Sequence, residues 1–183
     1  MSLAMLSVIL GVVLCGLGGV MWGRPDGWRA WATAFPRSKA IGYVLVLAAT
    51  GWFLWNVRGE TLADFTKFKP FLLAGFGLVG VLTCIYVTDY LAARGLAVLL
   101  LLGAKLMVDT ARHHVSDWRW VVSGLAYVWV VAGIWWTISP WRLRNSLAWL
   151  QSTSGRLRVG AMATLVLGVG LILLGVVVFP VRP

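Results

Sequence analysis

The sequence predicts an all-α fold: a polytopic transmembrane helical bundle of about six spans, with short interfacial amphipathic helices in the connections after spans one and five. Three observations lead there. Of 183 residues, 60% are hydrophobic and 12% charged, with a mean hydropathy of +0.87. An average soluble domain is about half apolar and about a quarter charged, and a globule of this size has no core large enough to hide the excess. Apolar runs near the ~20 residues that cross a ~30 Å hydrocarbon layer recur at 3–22, 40–57, 71–88, 90–108, 120–138 and 159–179. Eleven of the twelve tryptophans fall at the ends of these runs or between them, with only Trp129 near a centre. Indole rings favour the headgroup level, where the apolar body and the polar N–H are both accommodated. The same composition excludes disorder, and two cysteines, Cys15 and Cys84, exclude a disulfide-stapled module.

The spans differ in their punctuation. No Lys or Arg precedes the first, so it reads as a permanent helix and not a secretory signal. Leu14 stands before Cys15 where a lipoprotein signal has a small residue. The fourth span carries Arg94 near its start and Lys105 near its end, yet 71–108 is too long to cross once. A tight turn around Thr88 and Asp89 resolves this, with Asp89 suited to cap the following helix. Pro25 and Pro140 mark the first turns of the two interfacial helices, Ser139 is placed as an N-cap, and Pro36 ends the first of them. Leu143, Leu147 and Leu150 recur at helical spacing in the second, beside Arg142 and Arg144.

The formal net charge of +10 rests on sixteen Lys and Arg against six Asp and Glu. These basic residues lie between the apolar runs, where anionic headgroups attract them, so the partner they imply is the lipid bilayer and not nucleic acid. Arg24, Arg29, Arg37 and Lys39 follow span one, and Arg142, Arg144, Arg156 and Arg158 follow span five. Those two loops are expected in the cytoplasm, with both termini outside, in a bacterial inner membrane. On the other side stand Arg58, Lys67, Lys69, Lys105, Arg112, Arg119 and Arg182, so the bias is modest.

Residues 18–42 and 132–160 share a pattern: a Trp-bearing span end, a Pro, a basic aromatic stretch, then a basic cluster and Gly. Within a single membrane domain, 1–183, this makes 3–57 and 120–179 candidate repeated hairpins flanking a central hairpin, 71–108. In the last third, Ser139, Pro140, Trp141 and Arg142 lead through Arg156, Arg158 and Gly160 into a Leu/Val/Gly run ending at Phe179. That segment, about 132–179, resembles small two-helix bacterial inner-membrane proteins of uncharacterised function. The resemblance implies membrane topology and no assigned chemistry.

Few residues point to chemistry. Lys105 has Asp109 four positions on as a partner, and a lysine stem near a span end reaches the interface by snorkelling. With Arg94 these form the candidate polar membrane site. His113 and His114 are adjacent, and on a helix His114 and Asp117 would share a face as weak metal-ligand candidates with no third ligand nearby. Ser7 and Ser123 have no base at any useful spacing. No catalytic site and no cofactor are expected. Small residues are the more informative signal: Gly160, Thr164, Gly168 and Gly175 make a stripe in span six, with Gly11, Gly16, Gly18 and Gly19 in span one and Gly75, Gly77, Gly80 and Cys84 in span three. Such faces let helix backbones approach closely, either inside the bundle or against a protein partner or second copy. The chain therefore reads as an accessory or scaffold subunit of a membrane complex. The alternative is a small transporter or channel built from a repeated hairpin, which a midplane cavity beside Lys105 or Thr50 would favour.

Overall fold

A computed structural model describes residues 2–60, 66–87 and 89–179. Thr88, half of the expected tight turn, and Arg182 lie outside the described residues.

Among the described residues eight α-helices follow one another. Helix α1 (Leu3–Gly23) starts where the Ser2 hydroxyl accepts the Met5 N–H at 3.2 Å. It ends at Arg24, whose N–H reaches the Val20 carbonyl and whose own carbonyl accepts from Trp28, both at 3.0 Å. The second bond opens α2 (Pro25–Ala34), with Pro25 at its first position as expected. Pro36 sits in a 3₁₀ turn, Phe35–Arg37, that ends this helix. The Ser38 hydroxyl then accepts the Ile41 N–H at 3.4 Å and starts α3 (Lys39–Gly59). Helix α4 (Lys69–Tyr86) has Pro70 in its first turn. Tyr90, in the left-handed region at φ 55°, turns the chain into α5 (Leu91–Arg112). Helix α6 (Arg119–Ile138), α7 (Trp141–Gln151) and α8 (Ser154–Leu173) complete the order, and α8 runs on into a π-helical turn, Leu174–Val178.

Six of these helices are long and apolar enough to cross a membrane: Leu3–Gly23, Lys39–Gly59, Lys69–Tyr86, Leu91–Arg112, Arg119–Ile138 and Ser154–Val178. This is the all-α helical membrane class that the sequence predicts. The span ends shift by up to five residues, the fourth running on to Arg112, and two of the boundary differences have a clear cause. The last span begins at Ser154 and not at 159, because Arg156 and Arg158 are helical residues whose side chains stay exposed. Pro140 stands one position before α7. The Ser139 N–H still closes α6 on the Trp135 carbonyl, and the Ser139 carbonyl accepts from Arg142.

The chain divides into two compact units. The first comprises Met1–Thr33, Gly103–Val130 and Arg144–Pro183. Its spine is α1 laid along α8 with almost no side-chain spacer. A Cβ on Gly168 would lie 2.7 Å from the Cys15 sulfur and 2.8 Å from the Gly11 carbonyl oxygen. A Cβ on Gly11 would in turn lie 2.6 Å from the Gly168 carbonyl oxygen. Gly18 faces Ala161 and Leu165, and Gly175 faces Ala4 and Val8, in the same way. Around this seam Leu3, Leu6, Leu171 and Phe179 bury themselves with Ala104 and Met107 of α5 and Val122 and Ala126 of α6. Trp129, the one indole near a span centre, has its ring where a Cβ on Gly103 would be.

The second unit comprises Ala34–Leu102 and Val131–Leu143. It repeats the device. A Cβ on Gly42 of α3 would lie 2.9 Å from the Ala92 nitrogen, and one on Gly95 of α5 would lie 2.9 Å from the Val46 nitrogen. Val46, Cys84 and Leu91 form the buried cluster there. Helix α4 packs along α3, with Thr50 filling the space over Gly80 and the rings of Phe53 and Phe76 edge to face at 5.0 Å. The first candidate hairpin, 3–57, thus gives α1 to one unit and α3 to the other.

The seam predicts a contrast between neighbouring glycines. Gly168→Leu should lower the stability of the detergent-purified protein by about 1–3 kcal/mol through overpacking. Gly170→Leu, where nothing lies within 4 Å, should stay within about 0.5 kcal/mol of the unsubstituted chain. Thermal unfolding of the two variants side by side checks this, and equal losses would contradict the seam.

Candidate functional site

The polar residues of the spans are the natural place to look for chemistry, because hydrocarbon makes each of them expensive unless satisfied. Lys105 and Asp109 meet as the sequence places them, Nζ to Oδ2 at 2.7 Å, one helical turn apart on α5. Arg112 approaches the other carboxylate oxygen at 3.9 Å. Both Lys105 and Asp109 side chains keep 44% of their surface exposed, so this is a ladder of charge on an outer helix face near the span end, the arrangement that snorkelling produces. Arg94 is half-buried on the first turn of α5, beside the buried Leu91, Ala92, Ala93 and Gly95. Its Nε is shielded and has no hydrogen-bond partner among the described residues. The structure does not bring Arg94 together with Lys105 and Asp109, which lie more than two turns further along the same helix.

Five threonines and an asparagine within the spans share one solution. Thr50, Thr83, Thr110, Thr137 and Thr164 each donate to the carbonyl four residues earlier on the same helix, at 2.7–2.8 Å. Asn56 does the same to the Trp52 carbonyl at 2.9 Å. Their hydrogen-bonding capacity is thus spent on their own helix, and none of these bonds crosses to a neighbour. Ser7 is fully buried, and its hydroxyl has no partner among the described residues.

The histidines belong to the joint between α5 and α6. His114 and Asp117 sit in that joint and not on a helix, so the shared helical face does not form. His114 Nδ1 accepts the Ser116 N–H at 3.2 Å, its ring meets Phe179 edge to face at 4.8 Å, and its carbonyl accepts from Arg119 at 2.7 Å. His113 Nδ1 lies 3.1 Å from the Asp109 carbonyl. Among the described residues, no group of three or more His, Cys, Asp or Glu is placed to hold a metal ion.

The small residues separate into two sets. Gly11, Gly18, Gly168 and Gly175 lie in the α1–α8 seam, and Gly80 lies under Thr50. Gly160 faces the tip of Leu150, a flexible side-chain end, and the Thr164 hydroxyl bonds back to the Gly160 carbonyl. Gly16, Gly19 and Gly75 open onto empty space. Gly42 and Gly95, which form the closest backbone approach of the second unit, were not distinguished as packing residues by sequence. Gly95 has leucine four positions away on either side, and Gly42 has Val46 after it and only the helix-capping Ser38 before it, so no stripe of small residues marks either.

The surface left over is uneven. In the apolar window of α5 50% of residues are buried, against 6% in α4. Phe71, Phe76, Val79, Ile85 and Tyr86 of α4 all point outward. A cavity of about 390 Å³ lies at the end of α3, lined by Trp55, Arg58 and Gly59. There Lys69 Nζ donates to the Arg58 and Glu60 carbonyls at 2.6 and 3.0 Å, closing the helix terminus. Thr50 and Lys105, the residues a midplane passage would use, do not line it.

No known protein family, curated protein or solved structure matches this chain.

Proposed function

We propose that this membrane protein is a non-enzymatic subunit that works through helix packing, an accessory or scaffold component of a larger membrane complex. The observation that carries the reading is the inward spending of polar groups: five threonines and an asparagine bond to their own helices. A transport path needs such groups turned toward one another or toward a water-filled space. A packing subunit needs them silent and needs apolar surface on offer. Helix α4 supplies that surface, with Gly75 open at its middle and aromatic side chains on either side. The small-residue faces at Gly16 and Gly19 of α1 offer a second, for a partner helix or another copy of the chain.

Extraction of native membranes in a mild detergent, followed by size analysis and identification of stoichiometric companions, tests this. The expected result is a complex larger than the chain alone, which leucine at Gly75 shrinks without lowering thermal stability. A lone, monodisperse chain that conducts ions or solutes in proteoliposomes would overturn the reading in favour of a small transporter or channel.

The orientation belongs to the same reading. The arginine-rich connections that hold α2 and α7 lie in the cytoplasm, and both termini lie outside a bacterial inner membrane, in keeping with the bias of basic residues. A phosphatase fused at the C-terminus, active only outside the cytoplasm, should be active. A silent fusion that becomes active when moved to the α7–α8 joint reverses the assignment.

A further inference from the structure

We propose that the face of the first unit built from α2, α7 and the start of α8 binds the headgroup of an anionic phospholipid of the phosphatidylglycerol type. Both short helices are amphipathic, and free amphipathic helices bury their apolar sides in lipid. Here those sides are already occupied. Trp28 and Ala32 of α2 share a buried cluster with Met21, Leu157 and Ala161, and Leu147 and Leu150 of α7 pack against it. The helices are thereby fixed to the ends of α1 and α8, and their polar sides are held as a rigid surface.

Two guanidinium groups on that surface are placed by contacts between elements. Arg29 of α2 donates through one nitrogen to Asp26 at 3.1 Å and through the other to the Ser154 hydroxyl at 3.3 Å, reaching from α2 to α8. Arg156 donates to the Ser152 hydroxyl at 2.8 Å and lies 4.9 Å from the centre of the Trp149 ring. The three-residue stretch from Ser152 to Ser154 therefore has an arginine from a different helix on each of its two serine hydroxyls. Each guanidinium carries five donors in a fixed fork that matches phosphate oxygens, and the bonds above leave donors unspent on both.

Charge and depth name the occupant. Arg24, Arg29, Arg144, Arg156 and Arg158 belong to the segments that build this face, 24–34 and 144–158, in which Asp26 is the sole acidic residue. The surface lies where two membrane-length helices end, α1 at Gly23 and α8 at Ser154. That is the level of lipid phosphates. Trp31 and Trp149 are exposed there, as indoles at headgroup depth are. A phosphodiester bearing a net negative charge fits this surface, and a zwitterionic headgroup brings its own cation to the arginines and fits it less well.

The test is lipid retention by the intact chain, read by native mass spectrometry after purification in detergent supplemented with phosphatidylglycerol or phosphatidylcholine. The wild-type chain should keep phosphatidylglycerol in preference to phosphatidylcholine, saturably and at moderate salt. Arg29→Gln with Arg156→Gln should weaken that retention by about tenfold or more, while Arg58→Gln and Arg112→Gln, which remove exposed charge elsewhere, leave it unchanged. Should the double variant not fold, the single changes Arg29→Lys and Arg156→Lys decide, since a point charge without the planar fork should lose part of the preference. Equal retention of both lipids by the wild-type chain would overturn the proposal. So would a loss that Arg58→Gln or Arg112→Gln reproduces, or an acidic protein segment found in place of lipid.

Discussion

Hydrocarbon offers no hydrogen bonds, and the rest of this structure follows from that. Every amide within a span must find its partner inside its own helix, which is why the spans are uninterrupted helices and why, among the described residues, non-helical backbone is found only between the helices and at their ends. The side chains obey the same constraint. Threonine and asparagine return their hydrogens to the carbonyl one turn back, and Lys105 takes Asp109 at the same spacing. Once polar groups are satisfied locally, little but contact area remains to hold one helix to another.

Contact area explains the glycines. In each unit one pair of helices approaches through glycines: Gly11 against Gly168 in the first, and in the second Gly42 of α3 against Ala92 of α5 and Gly95 of α5 against Val46 of α3. A methyl group at any of the four would meet neighbouring backbone at 2.6–2.9 Å, closer than real contacts allow. The two seams fix which helices belong together, and burial across the membrane-length helices runs from 50% in α5 down to 6% in α4. Helix α4 stands at the far end of that scale, with most of its apolar surface left for lipid or for another protein.

Much of the architecture was legible because it depends on properties a sequence displays directly. Length and hydropathy marked six membrane-length helices, Pro25 and Pro36 bounded the first interfacial helix, and Leu147 and Leu150 marked the buried side of the second. The pairing of α1 with α8 was not legible. One apolar helix is as good as another to a reader of hydropathy, and only three-dimensional fit selects the partner. Gly42 and Gly95 carry no mark in the sequence for a related reason, since each works alone against the backbone of a facing helix. The last span starts earlier than hydropathy suggests, because Arg156 and Arg158 resemble loop residues in sequence although a helix carries them easily when their heads reach the interface. His114 and Asp117 were expected on one helical face, but the ring of His114 packs on Phe179 and its nitrogen caps the local turn. That contact joins residues sixty-five positions apart and leaves no trace in spacing.

The account stands on lipid being the solvent of these helices, and α4 is where that is most exposed to test. Single spin labels at Phe71, Leu72, Gly75, Val79 and Ile85, with the chain in phospholipid nanodiscs, report collision with dissolved oxygen and with a water-soluble nickel complex. Oxygen accessibility should rise and nickel accessibility fall from Phe71 to a point near Val79, with Ala97 and Ala104 of α5 closed to both. Free access of the nickel complex to Val79 in the folded chain would contradict the account.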